Sequence, residues 1–249
     1  MVKSQLNRIK KYVVSQTGNW FYPAHKLPVG THFPLFLKHR VLFNLEIVFD
    51  VGANVGHFSN ELKSYNPKTS FYCFEPFPET FIKLKTNLSG YNFNHYQLAL
   101  GDQIETILVR QNDSNRSDTN SLKIVDKSTN FGDRIPIQVS TLDEFLEKSS
   151  VHSIDLLKID TEGFDLKVLI GSKKALEKGK VKLIYIECGL DPSNKYHVFF
   201  PEILSFLTKL DYVFVGFFQT DIRKIEMKTH FSNALFVHRS VSEKIKTFN

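Results

Sequence analysis

The chain has 249 residues, 42% of them hydrophobic, which is enough core for one large domain or a domain with small additions and excludes a disordered chain. Its 32 basic and 26 acidic residues are scattered and leave a formal charge of +6, and the strongest local basic run, Asn7-Arg8-Ile9-Lys10-Lys11 beside Tyr12, is of a length that is more often solvated surface than a nucleic-acid footprint. Apolar windows are broken by charge before membrane-spanning length and the first eight residues lack the apolar core of a secretion signal, so neither a transmembrane helix nor export is expected. Cys73 falls inside one strand candidate and Cys188 just beyond another, and they read as free thiols in a reducing, cytoplasmic setting. The Asn-x-Ser triplets at Asn87, Asn112 and Asn115 then carry little weight.

Residues 1–19 suggest an amphipathic helix through Leu6, Ile9, Val13 and Val14, stopped by Gly18. Residues 20–31 mix aromatics, prolines and small residues without a period; they either cover the edge of the core or form one wall of a substrate pocket. A helix at 34–41 leads into an apolar strand at 44–49. We take 1–40 as an N-terminal helical and aromatic extension and 41–249 as the main domain.

The strand at 44–49 ends in Asp50, and glycines follow at 52 and 56, before a helix to residue 65 with Phe58, Leu62 and Tyr65 on its buried stripe. The order Asp-x-Gly-x-Asn-x-Gly is not the Gly-x-Gly-x-x-Gly run that lays a pyrophosphate on a helix N-terminus. Asp50 would repel a diphosphate and suits a ligand with a positive centre, or with hydroxyls and an amine. S-adenosylmethionine has these groups.

A second strand at 69–75 ends in Glu75, which lies 25 residues after Asp50, one strand-helix-strand unit, so both acids are expected at one end of a parallel sheet. Glu75 is placed to accept hydrogen bonds from the two hydroxyls of a ribose. A helix at 77–88 and a short strand at 93–97 follow. Leu98-Ala99-Leu100-Gly101-Asp102 then offers small and apolar residues for an adenine ring and a carboxylate for its amine, although Gly-Asp is also ordinary turn chemistry.

A strand is expected at 104–110 and another at 134–139, where Pro136 suggests an edge. Between them lies a polar excursion at 111–130, which reads as a lid or as a bare surface loop. Thr141 with Glu144 three positions on predicts a helix start. The strand at 154–159 delivers Asp160 and Glu162 into the loop before a helix at 164–170. Lys158, in the middle of that strand, needs a partner if buried, and pairing with a carboxylate is favoured over reaching water. A helix at 172–178 precedes a strand at 181–186, which brings Glu187 to the same edge. A helix at 199–209 and strands at 212–217 and 233–237, arranged as an antiparallel hairpin, complete an α/β fold with ligands at the C-terminal edge of its sheet.

Phe-Asp-Val-Gly-Ala-Asn-Val-Gly at 49–56, Phe-Glu-Pro at 74–76, Ala-Leu-Gly-Asp at 99–102, Leu-Lys-Ile-Asp-Thr-Glu-Gly at 157–163 and Ile-Glu-Cys at 186–188 together resemble the FkbM family of S-adenosylmethionine-dependent methyltransferases. The resemblance spans about residues 44–238. It implies the class I methyltransferase fold, a Rossmann-like sheet of seven strands in the order 3-2-1-4-5-7-6 with the seventh antiparallel and helices on both faces. It also implies methyl transfer from S-adenosylmethionine, in many members to a hydroxyl of a sugar or natural product, so a small-molecule or glycan acceptor is expected. Position by position, the methionine part would meet Asp50, Gly52, Ala53, Asn54 and Gly56, the ribose Glu75, and the adenine Leu100 and Asp102. Asn54 stands where other methyltransferase loops have their second glycine.

An alcohol is a poor nucleophile until its proton leaves, which a base helps. Asp160 is the first choice for that base and Glu162 the second, with Lys158 as their partner. Asp160, Glu162 and Glu187 would alternatively hold a magnesium or calcium ion; a metal-free base paired with Lys158 is preferred. His25 and His57 fall near the expected pocket, with surface or packing roles as the alternative. Rival readings are a dinucleotide oxidoreductase, a non-catalytic methyltransferase-like binding module, and a methyltransferase acting on a protein or nucleic-acid group.

Overall fold

The computed structural model describes residues 29–90, 92–110, 134–194, 196–223 and 228–245. The expected N-terminal helix, the basic run at 7–11, His25, most of the aromatic stretch at 20–31 and the polar excursion at 111–130 lie outside these residues.

The described chain runs α1 (Phe33–Arg40), β1 (Ile47–Val51), α2 (His57–Tyr65), β2 (Ser70–Phe74), α3 (Pro78–Asn87), β3 (Phe93–Tyr96), β4 (Ala99–Leu100), β5 (Glu105–Arg110), β6 (Arg134–Ser140) and α4 (Leu142–Lys148). It continues through β7 (Ile154–Ile159), α5 (Asp165–Ile170), α6 (Lys173–Glu177), β8 (Val181–Gly189), α7 (Phe200–Thr208), β9 (Tyr212–Arg223), β10 (Lys228–His238) and a closing 3₁₀ turn at Arg239–Lys244. Seven strands form one sheet in the order β3-β2-β1-β7-β8-β10-β9. All its pairings are parallel except those of β10, which runs antiparallel to both β8 and β9. Counted within the sheet this is the 3-2-1-4-5-7-6 order of the class I methyltransferase fold.

Strand alternation explains why both faces of the sheet are covered. Phe49, Leu157 and Ile184 point into one apolar layer with Val168, Leu169 and Leu207, while their neighbours Val48, Leu156 and Leu183 point into the other with Leu62, Leu84 and Phe36. Each such buried side chain contributes roughly 1.5–3 kcal/mol of transfer free energy. Helix α1 belongs to the second layer, where Phe33 stacks on Tyr185 with ring centroids 3.8 Å apart. Thr141 caps α4 as expected, its hydroxyl accepting the Glu144 N–H at 3.1 Å. Among the described residues no helix is long and apolar enough to cross a membrane. Cys73 and Cys188 are buried free thiols in β2 and β8.

Three expectations need correction. The first strand begins at Ile47, and pairing with β2 and β7 continues through Val51, so Asp50 sits inside the strand rather than at its tip. Likewise β8 runs on past Ile186, because β10 pairs with Glu187, Cys188 and Gly189. Strand β6 is central in a separate three-stranded sheet, β4-β6-β5, instead of an edge. Its proline is tolerated because β4 reaches only Val139 and Ser140, leaving one side of the strand at Pro136 without a neighbour from β4.

Candidate active site

A cavity opens where β1, β2, β7 and β8 end, lined among others by Gly52, Asn54, Glu75, Leu100, Asp160, Glu162 and Glu187. The loops after β1 and β7 cross at its floor. Gly52 has φ +75°, and a β-carbon there would lie 1.9 Å from the Asp160 carbonyl oxygen, so only glycine lets the two loops touch. Gly56 is crowded in the same way by Leu88 of the following unit. The room these glycines leave is filled by the protein itself. Gly52 and Ala53 also donate their N–H groups to the Phe74 carbonyl, tying the loop to β2.

Glu75 forms one end of the cavity. Its two oxygens accept the N–H groups of Asn54 and Phe77, each at 3.0 Å, and hold the glycine loop against the turn after β2. Burial pushes its carboxyl up to about 7, against the pull of those two N–H donors. Beside it, Phe74, Phe77, Leu98 and Leu100 make an apolar wall. This donor set, a carboxylate next to a hydrophobic slot, fits a ribose joined to a flat base.

Lys158 lies behind the floor and is buried. Its ammonium stands 3.0 Å from Asp50 and 3.3 Å from Asp160, and donates to the Gly52 carbonyl at 2.9 Å. The expected pairing with carboxylates is therefore present. Burial works against its charge, but Asp160 and Asp50 outweigh burial and raise its pKa. Asp50 is fully enclosed and also accepts the Ser59 hydroxyl at 2.6 Å. The four-residue set Asp50–Lys158–Asp160–Ser59 thus reaches from the sheet interior to the cavity surface.

The other end is acidic. Glu162 is held at φ +52° in a loop braced by Asp165, whose carboxylate accepts the Thr161 N–H at 3.0 Å and the Gly163 N–H at 2.9 Å. Burial, then Glu187 and Asp160, push the Glu162 carboxyl up to about 8. Glu187 is raised too, by burial first and then by Asp160 and Asp165. His197, in the loop between β8 and α7, places Nδ1 3.1 Å from Glu187 Oε2. Glu162, Glu187 and His197 each offer one ligand atom within 4.8 Å of the others, a group of metal-ligating type.

The residues singled out in the sequence divide accordingly. Gly52, Asn54, Glu75, Leu100, Asp160, Glu162 and Glu187 meet at the cavity. Asp50 and Lys158 support it from behind, and Ala53 and Gly56 are buried in the loop. Asp102 is not on the wall and lies 3.5 Å from Lys167, while His57 is exposed at the start of α2. Sequence reasoning missed His197 and Asp165. Asp165 sits two residues after a glycine at a helix start, where an acid bracing the preceding turn is ordinary chemistry; nothing local marks His197.

The sequence matches the methyltransferase FkbM domain over residues 50–214. It is 23% identical over 167 residues to the 2-O-methyltransferase NoeI of Sinorhizobium fredii, covering 60% of this chain and 68% of that protein. It is 25% identical over 149 residues to the hexuronic acid methyltransferase AglP of Haloferax volcanii, covering 60% of this chain and 59% of that protein. The N-methyltransferase NodS of Bradyrhizobium japonicum superposes with a TM-score of 0.48 at 10% identity, over 83% of this chain and 91% of that one, a likeness too loose to bear on activity. With the match covering well over half its length, the chain belongs to the FkbM methyltransferase family and is an S-adenosylmethionine-dependent methyltransferase.

Proposed function

We propose that the protein methylates a hydroxyl oxygen of a small polyhydroxylated acceptor, a sugar or a natural product. The observation that carries this reading is the polarity of the cavity, with Glu75 and an apolar wall at one end and Asp160, Glu162 and Glu187 at the other. An acidic end suits hydroxyl donors and can take up the proton that a hydroxyl must lose. The name of one relative, a 2-O-methyltransferase, supports an oxygen acceptor, and that of another, a hexuronic acid methyltransferase, supports a sugar-type acceptor without naming the atom methylated.

In this reading Glu75 accepts the ribose hydroxyls, Leu100 and Phe77 hold the adenine, and the Gly52–Asn54 turn faces the methionine part. S-adenosylmethionine supplies an electrophilic methyl whose bonding pair leaves with the sulfur. The protein aligns the acceptor oxygen and excludes water, effects worth on the order of 7 kcal/mol or more when reacting groups are held close. Asp160 takes the hydroxyl proton as the oxygen–carbon bond forms. Lys158 fixes the Asp160 carboxylate toward the cavity through their 3.3 Å contact.

The test combines product analysis with one variant. Wild-type protein, S-adenosylmethionine and a panel of glycosides and uronic acids should yield a methyl ether by mass spectrometry and NMR. Asp160→Asn should lower turnover by about 10²- to 10⁴-fold, the usual worth of a general base, with S-adenosylhomocysteine affinity kept. Transfer only to nitrogen or carboxyl groups, or full turnover by the variant, contradicts the reading.

A further inference from the structure

We propose that Glu162, Glu187 and His197 bind a first-row divalent metal ion at the acceptor end of the cavity. What such an ion does there rests on the proposed function, but its binding does not.

Three separate elements deliver the donors: the braced loop after β7, the C-terminal end of strand β8, and the loop before α7. Their ligand atoms already lie within 4.8 Å of one another. Glu187 is 7% exposed and its Oε2 is fully buried without a hydrogen bond, so it keeps lone pairs aimed into the protein. His197 Nδ1 stands 3.1 Å away. Two donors at right angles on an ion with bonds of about 2.1 Å would be about 3.0 Å apart, so this spacing is that of neighbouring ligands.

Charge points the same way. Lys158 is engaged at 3.0 and 3.3 Å with Asp50 and Asp160, the acids on its own side. Two further carboxylates share one partly buried space with an imidazole, and a divalent ion held by all three would be attracted by both carboxylates. The nitrogen ligand separates this set from a plain acidic patch. Imidazole with two carboxylates suits manganese through zinc better than calcium, which takes oxygen ligands. His230 and Phe231 pack around the His197 ring, with centroids 5.7 and 5.1 Å away, and fix its orientation. The ion would hold the acceptor oxygen and lower the pKa of its hydroxyl beside Asp160. Relative to the sequence expectation, His197 replaces Asp160 in the ligand set, because Lys158 occupies Asp160.

The test is a titration of chelator-stripped, full-length protein with Mn²⁺, followed by electron paramagnetic resonance of the free ion, with Zn²⁺ as competitor. Wild type should take up one ion per chain. His197→Ala and Glu162→Gln should each weaken uptake about tenfold or more, the loss that even outer-shell changes produce. Glu162 is only partly buried, so its variant guards against misfolding at His197, and S-adenosylhomocysteine affinity checks the fold of all three proteins. No uptake by wild type at millimolar Mn²⁺ or Zn²⁺, or uptake by both variants equal to that of wild type, overturns the site. If wild type binds S-adenosylhomocysteine normally while taking up no metal, the metal site alone falls and the proposed function stands.

Discussion

Glu75 illustrates how one residue can brace the fold and still line the cavity. Both its oxygens accept loop N–H groups at 3.0 Å, and a carboxylate oxygen that accepts one such bond retains a further lone pair with which it could accept from a hydroxyl. Burial raises its pKa to about 7, ahead of weaker effects from Lys158, which lowers it, and Asp50, which raises it. The folded protein therefore binds this proton more tightly than the unfolded chain does. The sign for stability follows: between the ordinary carboxylate range and about 7, rising pH weakens the ligand-free fold. For binding the sign is opposite, since hydroxyl donors favour the ionised carboxylate. Adenosine, which lacks the titrating amino-acid part of the cofactor, should bind more tightly as pH rises through about 7 and release protons below it. Calorimetry in buffers of different ionisation enthalpy measures both, and a flat profile with no proton release would remove Glu75 from the ribose contact.

At the scale of elements, the two ends of β7 do different work. Its C-terminal end feeds the cavity through Lys158 and Asp160. Its N-terminal end is pinned by Asp155, which accepts the N–H groups of Glu46 at 2.7 Å and Ile47 at 2.9 Å and the Lys182 ammonium at 2.6 Å. This buried acid ties β7 to the start of β1 and to β8 at the edge away from the cavity. Asp155→Ala should destabilise the protein by about 2–3 kcal/mol in chemical denaturation, because it strands two N–H groups and a partly buried lysine. Cofactor affinity should be unchanged at temperatures where the variant is folded. A variant as stable as wild type would show that these bonds contribute no net stability. Identical residue types thus have unlike roles at opposite strand ends, and the sequence could separate them only by position within the strand.

For the whole molecule, the alternation of strands and helices was legible from local period, whereas the seven-strand order followed only from the resemblance to the FkbM family. Ile154–Ile159 is buried throughout, as an apolar run closed on both faces should be. The carboxylates Glu75, Asp160, Glu162 and Glu187 were placed together because parallel strands share one C-terminal edge. What was not legible depends on pairing across distance. The β4-β6-β5 sheet joins segments on either side of residues 111–133, and a two-residue strand such as β4 has no period to read. Asp50 was placed one step too far out because continued pairing through Val51, not composition, ends its strand. His197 gains its meaning only from Glu187, ten residues earlier and across a turn. The measurement that bears most directly on the account is a calorimetric titration of wild type and Glu75→Ala with S-adenosylhomocysteine. One molecule should bind per wild-type chain, and the variant should bind about 10- to 100-fold more weakly, as expected for losing charge-assisted hydrogen bonds to two hydroxyls. Equal affinity in the two proteins, or no binding by wild type, would contradict it.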